Sequence, residues 1–153
     1  MNIDQCLSEL GITLPQPAAP VAAYVPAVEL GGLLHISGQI SFAEDGSLIK
    51  GRLGEDVDLD GGIAAARRCG IMVLAQIKAA LGSLDRVDRI VKLGVFVNSA
   101  PSFIDQPKVA NGASELMQDV FGEAGRHARS AVGVAVLPLG VAVEVDAIVA
   151  VKA

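Results

Sequence analysis

The sequence predicts an α+β domain, a mixed β-sheet with two helices packed on one face. Apolar stretches of strand length recur at 25–40, 90–97 and 128–148. Between them, 58–81 repeats apolar residues at helical spacing, and a second helix is expected from Pro107 to about residue 121. The resulting order of strands, helix, strand, helix, strands reads as two βαβ-like halves. The 153 residues are taken as a single domain, 1–153. With 52% apolar and 19% charged residues, the chain is rich for a small domain standing alone, and the surplus points to burial against other copies.

Residues 1–19 are expected to form an N-terminal extension, with a short helix over 3–10 ended by Gly11. A proline-rich extended arm over 14–25 follows, containing Pro15, Pro17 and Pro20, with Tyr24, the single tyrosine, near its end. Strands at 25–30 and 33–40 flank Gly31-Gly32, a hairpin signal, and the second runs into Ser37-Gly38-Gln39. The helix over 58–81 has Asp58 or Asp60 to cap it and Gly82 to stop it; its alanines and Gly70 are expected to let it lie close to a sheet. Residues 90–97 read as a buried strand. Asp105 or Gln106 caps the second helix, with Pro107 in its first turn and Gly122 at its end. The last two strands read as a hairpin turning at Pro138-Leu139-Gly140.

The net charge of −5, the 3% aromatic content and a single adjacent basic pair, Arg67-Arg68, argue against a nucleic-acid partner. Two cysteines, Cys6 and Cys69, lack metal-ligand spacing, so a reducing, cytoplasmic setting is expected. The first residues show no leader pattern and no run reaches membrane-spanning length. His35 and His127 stand apart, which makes no case for a metal. His35 reads as a core or interface histidine, and His127 as a loop residue that could assist a neighbouring pocket. Phosphate-loop, nucleophile-elbow and dinucleotide fingerprints are absent.

Two charges on the apolar C-terminal strands need a reason. Arg129 shares a strand face with Ala131, Gly133 and Ala135, small residues expected to leave room beside the guanidinium. A fixed arginine fork suits a carboxylate. Glu144, on the return strand, could position water or move a proton. Taken alone, an arginine at a strand entry is more often a solvated or salt-bridged surface residue, and Glu144 more often a sheet-surface charge. In a hairpin centred on Leu139 they stand about five rows, or roughly 17 Å, apart. A site using both would therefore lie between subunits. Gly38 would let a ligand approach the backbone of the second strand.

At these residues the chain resembles the RidA/YjgF/YER057c/UK114 family of small reactive-imine deaminases. The likeness runs from about Pro20 to Lys152 and rests on Ala23-Tyr24-Val25-Pro26, Ser37-Gly38-Gln39-Ile40, Val95-Phe96-Val97-Asn98, Ala128-Arg129-Ser130, Leu137-Pro138 and Val143-Glu144-Val145. It implies a chorismate-mutase-like fold and a homotrimer with a barrel-like core and three inter-subunit clefts. The activity implied is hydrolysis of 2-aminoacrylate-type enamines and imines to 2-oxo acids and ammonia, without metal or organic cofactor. By resemblance Arg129 binds the substrate carboxylate, Glu144 positions or activates water, and Tyr24, Ser37, Gly38 and Asn111 line the cleft. The chain departs from the family at Ala131, where a cysteine is frequent, and in the segment between Asn111 and Arg129. Two further expectations stand beside deamination: a non-catalytic trimer that binds or senses a 2-oxo acid, and the endoribonuclease or translation-inhibitor role ascribed to some members.

Overall fold

The computed structural model describes residues 1–17 and 22–153. Pro20, part of the expected arm and the start of the family likeness, lies outside the described residues. Among the described residues, five strands form one open sheet in the order β1-β2-β5-β3-β4, where β1 is Ala27–Leu30, β2 Leu33–Ile40, β3 Val87–Asn98, β4 Ala128–Val134 and β5 Val143–Val151. Three α-helices accompany them among those residues: α1 Ile3–Glu9, α2 Leu59–Leu81 and α3 Gln106–Phe121.

Gly31 and Gly32 both take positive φ, +64° and +80°, which two-residue hairpin turns demand and glycine supplies without strain. β1 and β2 pair across that turn as an antiparallel hairpin. α2 begins where the Asp58 carboxylate accepts the Gly61 amide at 2.7 Å and ends on left-handed Gly82. α3 carries Pro107 in its first turn, and Gly122 ends it. α1 is docked by buried Leu7, by the Lys78–Asp4 ion pair at 2.9 Å and by the Ile3 amide on Asp85.

β2–α2–β3 and β3–α3–β4 are the two halves. The second is a direct parallel βαβ unit. The first is split, because β5 inserts between β2 and β3 and runs antiparallel to both. Both long helices cover one face, where Leu93, Val95, Val97, Val143, Val145, Ala147 and Val149 are buried.

Two expectations are corrected. β4 and β5 do not form a hairpin. β4 lies parallel to β3 at the sheet edge, and β5 pairs on the other side of β3. The turn at 138–140 exists as a short 3₁₀ segment, with Leu139 at φ 60°, but it carries the chain across β3 rather than folding β5 back on β4. Gly70 meets Leu116 and Ala113 of α3, so its missing side chain serves helix–helix contact rather than approach to the sheet.

Candidate functional site

The expected site residues form two clusters. The first surrounds the end of β2. The ladder between β2 and β5 shifts register between Ile36 and Gln39, leaving Ser37-Gly38 as an irregularity. The Gln39 side chain donates to the Ser37 carbonyl at 2.9 Å, and Gln76 of α2 donates to Gln39 at 3.2 Å. These bonds hold the bulge from beneath. The Ser37 hydroxyl donates to the Val25 carbonyl at 3.0 Å and ties the Tyr24-Val25-Pro26 segment to β2. Its proton is thus engaged by the backbone, and what it offers a ligand is acceptor capacity. Tyr24, 59% exposed, lines a cavity of about 360 Å³ with Ser37, Gly38, Arg68, Met72 and Gln76.

Glu144 meets this cluster at Gly38 but is not among the residues that line the cavity. A Cβ on Gly38 would collide with Glu144 Oε2, so the carboxylate lies directly against the glycine backbone. Burial, and then Asp146, push the Glu144 carboxyl above its ordinary 4.5. Asp146 is raised as well, chiefly by burial, against the opposing pull of the Gly94 amide and Lys92. Both acids face away from the helices, as the alternation of buried and half-buried residues along β5 shows.

The second cluster stands at the far edge, between α3 and β4. Arg129 Nη1 donates to Asn111 Oδ1 at 2.8 Å and to Ser114 Oγ at 3.1 Å. Ser114 Oγ lies 2.8 Å from His127 Nε2, and His127 Nδ1 lies 2.6 Å from the Gly125 carbonyl. Burial, and secondarily the Arg129 charge, hold the His127 imidazole below its ordinary 6.5, against the raising effect of Gly125. Ser114, His127, Arg129, Arg126 and Gln118 line a cavity of about 230 Å³. Among the described residues Arg129 forms no ion pair.

One chain does not unite the clusters. Arg129 pairs with Leu93 and Glu144 with Phe96, three rows apart along β3 and on either side of it. That is roughly 14 Å between Cα atoms. Leu93 faces the helices, whereas Glu144 faces the uncovered side. The space expected beside Arg129 is also partly filled by protein. Gln106 and Ser99 occupy the side-chain position of Gly133, and Ala131 packs against the core.

His127, expected as a loop residue that could assist a neighbouring pocket, is in this cluster. Strand-face reasoning does not reach Ser114, although it lies one helical turn from Asn111, and that spacing is the signal that could have found it. Among the described residues, no three His, Cys, Asp or Glu side chains converge as metal ligands would, and no helix is long and apolar enough to cross a membrane.

Residues 4–150 match the family described as "YjgF/chorismate_mutase-like, putative endoribonuclease". The chain is 57% identical to Protein TCP17 of Trypanosoma cruzi over 94% of its own length and 90% of that protein's. It is 27% identical to a 2-iminobutanoate/2-iminopropanoate deaminase of Dermatophagoides farinae, covering 92% and 95% of the two chains. The crystal structure of the protein Atu1372 from Agrobacterium tumefaciens superposes with a TM-score of 0.90 at 46% identity, over 98% of this chain and 94% of that one. A sheet with two helices on one face, an arginine braced on its edge strand and a match spanning nearly the whole length lead to one conclusion: the chain belongs to the RidA/YjgF family.

Proposed function

We propose that this protein hydrolyses small 2-imino acids, and the enamines in equilibrium with them, to 2-oxo acids and ammonia in clefts between copies of the chain. The observation that carries the reading is the division of the site. A braced arginine stands at the helix-side edge, a carboxylate with raised pKa stands on the uncovered face, and neither has a counter-charge bonded to it among the described residues. An assembly that sets the α3–β4 edge of one copy against the β2–β5 region of the next would complete both. The uncovered face offers apolar area for such contact, with Val28 and Val132 exposed. A homotrimer, as the family likeness implies, meets this requirement.

In that cleft the guanidinium neutralises and orients the substrate carboxylate. Water adds to the imine carbon, and Glu144 accepts a water proton and returns one to the nitrogen, which leaves as ammonia. A raised carboxyl pKa suits a group that must both take and give a proton. The named deaminase relative supports the reaction class.

The experiment is to generate 2-iminopropanoate in situ and follow its hydrolysis by wild type and Arg129→Ala. Activity should fall to background while the assembly state is unchanged. A fully active Arg129→Ala would overturn the proposal. Pyruvate binding without any turnover by wild type would replace it with a sensing role.

A further inference from the structure

We infer that Ser114 and His127 complete the carboxylate-reading half of the site by locking Arg129 so that its Nε–Nη2 edge is the fork that meets the ligand. The inference rests on the preceding reading that Arg129 binds a carboxylate, and adds two residues and a direction to it.

Counting hydrogens gives the direction. A guanidinium only donates, and Nη1 has two hydrogens. Asn111 Oδ1 takes one and Ser114 Oγ the other. Neither remains for a ligand. Nε–H and the two Nη2 hydrogens donate to no other described residue, and Nε with one Nη2 hydrogen forms a side-on pair of parallel donors matched to a carboxylate. Asn111 therefore positions the arginine through its carbonyl oxygen, leaving its NH₂ free to face a ligand.

The chain behind Ser114 is directional. The Gly125 carbonyl can only accept, so His127 Nδ1 carries the imidazole proton. Nε2 is then a bare acceptor and takes the Ser114 hydroxyl proton at 2.8 Å. With that proton committed to His127, the Ser114 oxygen turns lone pairs to Arg129. The depressed His127 pKa agrees with a neutral ring. Remove the acceptor at Nε2 and the hydroxyl is free to rotate, so the bond that fixes Nη1 is no longer specified. Ser114 and His127 are positioning residues, acting through Arg129.

The test is a cycle of variants read by KM, kcat and the affinity for pyruvate as a stable carboxylate probe. Ser114→Ala and His127→Ala should each weaken pyruvate binding and raise KM for 2-iminopropanoate by roughly tenfold, the size of a lost bond to a charged group, and lower kcat far less. The double variant should be no worse than either single one, because both cut the same chain. His127→Gln, which presents an acceptor near Nε2, and Ser114→Thr should restore most of the affinity. A merely structural role would lower thermal stability without this KM-weighted, rescuable, non-additive pattern. Unchanged affinity in Ser114→Ala alongside its loss in Arg129→Ala would overturn this inference alone. Unchanged affinity in Arg129→Ala would overturn the carboxylate reading on which it rests. Labelling of Ser114 by a fluorophosphonate, lost in His127→Ala, would also overturn it, by making Ser114 a nucleophile.

Discussion

Arg129 and Glu144 differ in how the chain holds them. Arg129 is gripped by hydrogen bonds to Asn111 and Ser114. Glu144 is held by shape, with a glycine where any side chain would strike it. That makes Gly38→Ala a test of position alone. It should displace the Glu144 carboxylate and cut turnover at least tenfold, while pyruvate affinity, which depends on Arg129, changes far less. Glu144→Gln should lower kcat by about 10²–10⁴-fold, the usual contribution of a general acid–base group. The pH dependence has a definite sign. Burial and Asp146 raise the Glu144 pKa, so the acid limb of kcat/KM should lie above the ordinary carboxylate value of 4.5. Asp146→Asn should move that limb down. The same raised pKa means the folded state favours the protonated acid. Its contribution to stability is complete below the ordinary pKa and is lost as pH rises through the folded one. Glu144→Gln should flatten that part of the stability–pH curve.

At the scale of elements, local signals were legible where local chemistry dominates. The Gly31-Gly32 hairpin and the Asp58 cap follow from turn and capping preferences that need no distant partner. Asp58→Ala should destabilise by about 1 kcal/mol, lowering the midpoint of thermal unfolding by a few degrees. A shift within error would mean that tertiary packing, not the cap, starts α2. Strand pairing was not legible in the same way. Two apolar strands around Pro138-Leu139-Gly140 look like a hairpin, because sequence proximity is the only evidence a chain offers about partners. The structure inserts β3 between them, since the β3–α3–β4 crossover places β4 parallel at the edge. Strand faces survived that error, because they depend only on the two-residue period. The distance between Arg129 and Glu144 rested on the hairpin register and did not survive; the two are apart for another reason, three rows along β3 and on either side of it. Ser114 escaped, and the role of His127 stayed open, because their link crosses from helix to strand.

At the scale of the molecule, the sheet leaves a half-buried face carrying Glu144, Asp146, Phe96 and exposed Val132, while the Arg129 cluster sits on the helix side of the edge strand β4. A single copy holds the Arg129 and Glu144 clusters and does not bring them together. The central claim is that a neighbouring copy does so, and it can be tested without knowing the physiological imine. Arg129→Ala and Glu144→Gln subunits, each inactive alone, are unfolded, mixed in equal amounts and reassembled, with mixed oligomers verified by native mass spectrometry. In a cyclic assembly whose clefts draw Arg129 from one copy and Glu144 from the next, about a quarter of the clefts regain both residues, so about a quarter of wild-type activity should return. Verified mixed oligomers that stay as inactive as either parent would contradict a site shared between subunits.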